Sequence, residues 1–138
     1  MHEFGMRVYY EDTDLAGIVY YANYLKFIER GRTEALIALG VDQAALKATS
    51  GLVFAVRRVE VDFLSPARFQ DQLIVTTALA ALSGARVDLE QEVRRDGTLL
   101  ARARVGLVAL GADGRPARLP AAVRDALAAL GPERQGPK

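Results

Sequence analysis

The order in which helix-like and strand-like hydrophobic patterns follow one another limits the folds that this chain can adopt. Apolar residues recur every three or four positions from residue 23 to residue 39, which predicts one long helix. Four strand-like runs follow, over 53–64, 73–82, 85–94 and 98–110. The dipeptides 83–84 and 96–97 each end in glycine and predict tight turns with positive φ, so the last three strands should form an antiparallel meander. We therefore expect an α+β fold in which one sheet wraps around one helix.

The predicted element ends depend on a few local signals. Met6, Val8 and Tyr10 alternate with polar residues and predict a first strand that ends at an acidic turn. Asn23 is the predicted N-cap of the long helix, and Gly40 is its predicted stop.

Two other glycine and proline signals complete the expected fold. Gly31 lies inside the long helix, where glycine costs about 1 kcal/mol relative to alanine, so we expect a close neighbour there. A short C-terminal helix should start with Pro120 as its first residue and end at Leu130. We predict a single domain over 1–130 and a flexible tail over 131–138.

Composition excludes several kinds of site. The sequence has no cysteine, and its one histidine is His2, so a thiolate metal site or a histidine-based triad is not expected. We predict neither a metal nor a cofactor. The 18 basic and 17 acidic residues nearly cancel, which argues against a nucleic-acid partner. No apolar run approaches the roughly 18 residues of a membrane span, and we expect a soluble, cytoplasmic protein.

The segment over residues 7–24 is the candidate for chemistry. It reads RVYYEDTDLAGIVYYANY and joins a strand, an acidic turn and a helix start. Unpaired N–H groups at a helix start stabilise negative charge on a carbonyl oxygen, and a nearby carboxylate could attack or activate water. Aspartates in turns also have a structural interpretation as acceptors of backbone N–H groups, and we retain that interpretation for Asp12.

This segment, the helix sequence NYLKFIER and the later sequence FLSPAR resemble the hotdog-fold acyl-CoA thioesterases of the 4-hydroxybenzoyl-CoA thioesterase type. Within that type the chain is most similar to the Tol-Pal-associated branch. The resemblance implies a long central helix wrapped by a five-stranded antiparallel sheet, with a short C-terminal helix. Asp14 matches the catalytic carboxylate, and Tyr21 matches the position whose backbone N–H polarises the thioester carbonyl. The implied substrate contacts are Gly17, Ile18, Val19, Tyr20 and Tyr24.

The implied activity is hydrolysis of acyl-CoA, with an aliphatic acyl group favoured and acyl carrier protein as a further possible acyl donor. Asp14 would act as a general base or as a nucleophile, and the residues do not separate these roles. The alternative is a non-catalytic dimer that senses acyl-CoA or acyl carrier protein. A hotdog dehydratase is disfavoured because such sites generally use a histidine or a different acidic motif.

Other charged residues rank below Asp14. Glu29 and Glu34 lie on a helix face with Arg30, and we predict an Arg30–Glu34 ion pair there. Arginines on the strands are candidates for the phosphates of coenzyme A: Arg57, Arg58, Arg86, Arg94, Arg95, Arg102 and Arg104. Exposed strand edges favour a homodimer, and the resemblance implies active sites at its interface and often a tetramer.

Overall fold

The computed structural model describes residues 1–133, so the part of the predicted tail over 134–138 lies outside the described residues. Five strands form one antiparallel sheet in the order β1-β3-β4-β5-β2. The elements are β1 (His2–Arg7), a 3₁₀ turn (Tyr10–Asp12), α1 (Asn23–Ala38), α2 (Gln43–Ser50), β2 (Val53–Phe63), β3 (Gln72–Leu82), β4 (Arg86–Arg95), β5 (Thr98–Leu110) and α3 (Ala121–Leu130). The α+β fold predicted from the sequence is confirmed.

Helix α1 packs across β1, β3 and β4 on the inner face of the sheet. The expected close approach at Gly31 is confirmed, because a Cβ atom added there would lie 2.5 Å from Cγ1 of Val75. Beside it, the buried Gln91 donates through Nε2 to the Ile28 carbonyl at 2.8 Å and to the Thr77 hydroxyl at 3.0 Å. These contacts hold the centre of α1 on the sheet and thereby set where its first turn lies.

Three predicted element ends are wrong. The first strand ends at Arg7, because its pairing with β3 ends there, and Tyr10 lies 80% exposed in the 3₁₀ turn. Asn23 is the first residue of α1, not its N-cap, because its side chain donates to the Asp12 carbonyl. Pro120 caps α3 and precedes its first residue.

The sequence reasoning also missed one helix and was wrong about one turn. Helix α2 was not predicted, because its eight residues are too few for a clear helical period; it begins after Asp42, whose Oδ1 accepts from Ala45 N at 3.0 Å. Gly97 has the expected positive φ of 79°, whereas Gly84 does not lie in the left-handed region. The β3–β4 turn therefore needs no left-handed glycine.

The end of the described chain folds back on the sheet. The Gly131 carbonyl accepts from Leu79 N at 2.7 Å, and Glu133 lies beside Glu90 and Glu92 on the outer face. The pKa of Glu133 is raised to about 7, first by its hydrogen bond with Glu92 and then by burial. Glu133 is therefore predominantly protonated in the folded chain at pH 6.

Replacing Glu133 with glutamine should make stability less dependent on pH. The pKa rises from its ordinary 4.5 to about 7 on folding, so the folded chain binds more protons between these values and loses stability as pH rises through them. Because Glu133 is largely solvent-screened, we expect Tm at pH 8 to rise by only about 2 °C in Glu133→Gln. Calorimetry from pH 5 to 8 measures this, with Glu34→Gln as the control. Equal pH slopes for wild type and Glu133→Gln would contradict the prediction.

Candidate active site

A tight hairpin over residues 13–19 presents Asp14. Thr13 pairs with Val19, and Asp14 N donates to the Ile18 carbonyl at 3.0 Å. The turn closes where Gly17 N donates to the Asp14 carbonyl at 3.0 Å, with Gly17 at φ 79°. A side chain at Gly17 would be strained by this left-handed backbone.

Asp12 ties the hairpin to the start of α1. It is only 8% exposed, and its Oδ2 accepts from Tyr9 N at 2.8 Å. Its carbonyl accepts from Tyr20 N and from the Asn23 side chain, both at 2.9 Å. Asp12 therefore has the structural role expected from the sequence, and it joins the Asp14 turn to the first turn of the helix.

The carboxylate of Asp14 is exposed, and only one of its two oxygens accepts a hydrogen bond. Its Oδ1 accepts from Ala16 N at 3.0 Å, whereas Oδ2 has no donor among residues 1–133. The pKa of the Tyr20 hydroxyl is raised by Tyr21 first, and the charge of Asp14 adds to this effect. The Tyr20 hydroxyl therefore lies close enough to Tyr21 and to the Asp14 carboxylate for both to oppose its ionisation.

The start of α1 leaves backbone donors free. The N–H groups of Asn23, Tyr24 and Leu25 each donate to the carbonyl three residues earlier, at 2.8, 3.2 and 3.2 Å. In the described chain the N–H groups of Tyr21 and Ala22 have no acceptor. Such orphan donors at a helix N-terminus, together with the helix dipole, favour a negatively charged oxygen.

A cleft of about 280 Å³ adjoins these donors. Of the predicted substrate contacts, Ile18, Val19 and Tyr24 line it, and Tyr21 does too, whereas Gly17 and Tyr20 do not. The Tyr24 hydroxyl accepts from Ala67 N at 3.0 Å, and burial raises its pKa. The cleft is lined by Ile18, Val19, Tyr21, Tyr24, Phe63, Leu64, Ser65 and Pro66.

The far wall of this cleft was missed in the sequence. The Phe63 ring meets those of Tyr21 and Tyr24, at centroid distances of 5.9 and 5.6 Å. The available signal was the FLSPAR stretch over 63–68, which carried part of the family resemblance but was not assigned to the site. A larger cleft of about 500 Å³ lies beside Ile37, between α1 and α2, but it is remote from the Asp14 turn and the start of α1.

Some of the charged residues ranked below Asp14 have partners away from its turn. Glu29 accepts from the Thr33 hydroxyl at 2.8 Å. The predicted Arg30–Glu34 ion pair is wrong, because these side chains do not approach within 4.0 Å. Five of the arginines proposed for coenzyme A phosphates pair with carboxylates: Arg58 with Glu60, Arg94 and Arg102 with Glu92, Arg95 with Asp71, and Arg104 with Asp88 and Glu90.

The chain matches a known family over most of its length. Residues 8–127 match the model of the thioesterase-like superfamily. The chain belongs to this superfamily. It is 41% identical over 102 residues to the acyl-CoA thioesterase YbgC of Haemophilus influenzae, an alignment that covers 74% of this chain and 75% of that protein. The resemblance to the acyl-CoA thioesterases stated from the sequence is thereby confirmed.

Other relatives support the fold and widen the range of acyl groups in the superfamily. A probable thioesterase from Bartonella henselae is 38% identical, with a TM-score of 0.82 over 86% of this chain and 98% of that one. The 1,4-dihydroxy-2-naphthoyl-CoA hydrolase of Thermosynechococcus vestitus is 33% identical over 70% of this chain and 66% of its own length. The hotdog fold predicted from the sequence is confirmed. Over residues 1–133, no helix has the length and apolarity needed to cross a membrane.

Proposed function

We propose that this chain hydrolyses the thioester of acyl-CoA to a free acid and CoA. The observation that carries the proposal is the unpaired N–H of Tyr21, which follows directly on the hairpin that exposes Asp14. The cleft beside it is mainly apolar and suits an acyl group. Thioester hydrolysis by members of the same superfamily supports this choice over a binding role.

In the proposed reaction, the Tyr21 N–H donates to the thioester oxygen as negative charge develops there. Asp14 takes a proton from water, whose oxygen attacks the carbonyl carbon; the C–S bond then breaks and the thiolate leaves. Alternatively, Asp14 attacks directly and forms a mixed anhydride that water hydrolyses. The leaving thiol has a pKa near the 8.5 of cysteine, so the reaction needs no strong general acid, which agrees with the absence of cysteine and the terminal position of the one histidine.

The proposed substrate is an aliphatic acyl-CoA. Ile18, Val19, Leu64 and Pro66 offer aliphatic surface in the cleft, and Gly17 and Tyr20 are proposed to contact the substrate from its rim. Thiol release from acetyl- to palmitoyl-CoA, benzoyl-CoA and 4-hydroxybenzoyl-CoA tests both the activity and the acyl class. If the chain binds the whole panel tightly but hydrolyses none of it, the sensor alternative replaces the thioesterase proposal.

The resemblance to the Tol-Pal-associated branch carries finer proposals. Acyl carrier protein as an acyl donor, a cytoplasmic location and a tetramer of two dimers are all part of this proposed function. Adding acyl-acyl carrier protein to the substrate panel tests the first, and sedimentation of the purified protein tests the last.

The proposed dimer forms at the free edge of β2. Val56, Val59 and Phe63 face the same side as the buried β5 residues that they pair with, yet each is more than a third exposed. Helix α1 packs mainly on β1, β3 and β4, so this apolar row is only partly covered. A second copy that pairs edge to edge would extend the sheet and cover the row.

Replacing Val59 with aspartate should therefore break the dimer. A carboxylate on this row would lose its water on association, and we expect the molar mass of Val59→Asp in light scattering to fall by about half. Val59 pairs with the buried Val105 in the sheet, so circular dichroism must show that the dissociated variant is folded. Arg57→Asp, at the bulge in the same strand, controls for added charge. A Val59→Asp variant that keeps the wild-type mass would contradict this interface.

A further inference from the structure

The β2–β3 loop, residues 64–71, borders the candidate active site, and three of its residues line the cleft. The Ala67 carbonyl accepts from Val19 N at 2.8 Å and thereby holds the hairpin that presents Asp14. Ala67 N donates to the hydroxyl of Tyr24 at 3.0 Å, in the first turn of α1. The position of Ala67 therefore helps to set how Asp14 lies relative to the start of α1.

The β2–β3 loop needs support from its surroundings, because its backbone is unfavourable at one position. Gln70 has a φ of 71°, a left-handed conformation that is unfavourable for a residue with a Cβ. Such a conformation persists only where the surrounding contacts hold it. Gln70 N donates to the Val8 carbonyl at 2.9 Å, and Asp71 N donates to the Arg68 carbonyl at 3.1 Å. Side-chain contacts of Asp71 complete this support.

One carboxylate oxygen and one guanidinium nitrogen close the loop. Oδ2 of Asp71 accepts from Arg68 N at 2.8 Å and from Arg95 Nη1 at 2.7 Å. The same Nη1 donates to the Pro66 carbonyl at 3.2 Å. Arg95 is the last residue of β4, and it thus connects the sheet to the residues on both sides of Ala67.

The Arg95–Asp71 ion pair is only partly exposed to water, with the two side chains 29% and 23% exposed. Burial by itself would raise the pKa of Asp71, but the hydrogen bond from Arg68 N, followed by the contact with Arg95, lowers it overall. Asp71 is therefore ionised at neutral pH and keeps the charge that holds Arg95. Among residues 1–133, neither Arg95 nor Asp71 lines the cleft, so an effect of the pair on turnover should pass through the loop.

We propose that Arg95 and Asp71 are positioning residues for the reaction. Their ion pair holds Ala67 in place, and Ala67 holds the hairpin of Asp14 against the first turn of α1. The inference rests on the proposed function, because it gives the pair a role in the geometry of that reaction. A displacement of about 1 Å between reacting groups costs a large part of the rate. The pair thus affects the chemical step without contact with the substrate.

Arg95→Ala should lower kcat for the best substrate of the acyl-CoA panel about tenfold and change KM less than about twofold. Because a single nitrogen of Arg95 makes both contacts, the ammonium of Arg95→Lys can replace it, and this variant should keep about half of the wild-type kcat or more. Asp71→Asn keeps an acceptor for Arg68 N but loses the charge, so kcat should fall about threefold. If Arg95→Ala does not fold, Arg95→Met, which keeps the aliphatic part of the side chain, carries the same expectation.

Arg94→Ala is the matched control, since Arg94 precedes Arg95 in β4 and forms its ion pair with Glu92, at 3.1 Å, and not with the β2–β3 loop. This variant removes an ion pair of the same strand, and its kcat should equal that of wild type. An equal loss of kcat in Arg94→Ala would overturn the positioning role. A rise in KM at unchanged kcat in Arg95→Ala, or no recovery in Arg95→Lys, would overturn it as well.

Hydrogen exchange followed by NMR tests the same contacts without turnover. In Arg95→Ala the N–H of Val19, which donates to Ala67, should exchange about tenfold faster than in wild type, and the N–H of Leu89 in the central strand β4 should keep its rate. Equal acceleration at Val19 and Leu89 would show a general loss of stability and overturn the local role.

The two measurements separate this inference from the proposed activity. A wild type that hydrolyses no acyl-CoA, together with faster exchange at Val19 in Arg95→Ala, would end the proposed activity and leave Arg95 as the support of the hairpin. An active wild type, with unchanged kcat and unchanged exchange at Val19 in Arg95→Ala, would do the reverse.

Discussion

Asp14→Asn should lower kcat for acyl-CoA hydrolysis by about 10²- to 10⁴-fold, the usual contribution of a general base. The amide oxygen can still accept from Ala16 N, as Oδ1 of Asp14 does at 3.0 Å, so the turn should persist and Tm should change little. Asparagine can neither take a proton from water nor attack the thioester. Steady-state thiol release and thermal unfolding of the same preparation measure both effects.

Asp12→Asn is the matched control two residues earlier. Asp12 accepts from Tyr9 N in a buried position, so its replacement should cost about 1 kcal/mol of unfolding free energy and spare most of kcat. The opposite pattern, with full activity in Asp14→Asn and its loss in a folded Asp12→Asn, would transfer the catalytic role to Asp12.

Gly31→Val should destabilise the chain by about 3 kcal/mol and lower Tm by roughly 10 °C. The first side-chain carbon at this position would already lie 2.5 Å from Val75 Cγ1, so valine must push α1 away from β3. Chemical denaturation and calorimetry measure the loss. Because Tyr21 lies two residues before the first residue of α1, we also expect kcat to fall.

A double-mutant cycle tests whether the contact with Val75 is the cause. Val75→Ala removes Cγ1, the atom nearest to Gly31, and leaves the Cβ at 3.1 Å, so Gly31→Val should cost at least about 1 kcal/mol less in that background. Arg30→Val, at an exposed position of the same helix, measures the cost of the β-branched residue alone. Equal losses at Gly31 and Arg30 would show that helix propensity, and not the contact with β3, explains the effect.

Local sequence signals predicted the ends of helices and strands correctly at positions where the backbone conformation itself requires a particular residue. The helix ends at Ala38 with Gly40 at φ 81°, and the β4–β5 turn has Gly97 at φ 79°, because these positions need a residue without a Cβ. The Asn23 cap failed because a carbonyl eleven residues earlier, that of Asp12, binds its side chain. Tyr10 alternates correctly for a strand, but β3 provides no partner beyond its pairing with Arg7.

The sequence by itself determined the α+β class, the family resemblance and the Asp14 turn, because each depends on residues close together in the chain. Only the tertiary structure brought Phe63 against Tyr21 and Arg68 beside Ile18, some 40 to 50 positions apart in sequence. It also decided which strand edge stays open, because β2 pairs with β5 and not with a sequence neighbour. Strand pairing between distant segments depends on the packing of the whole sheet, and no local pattern of residues specifies it.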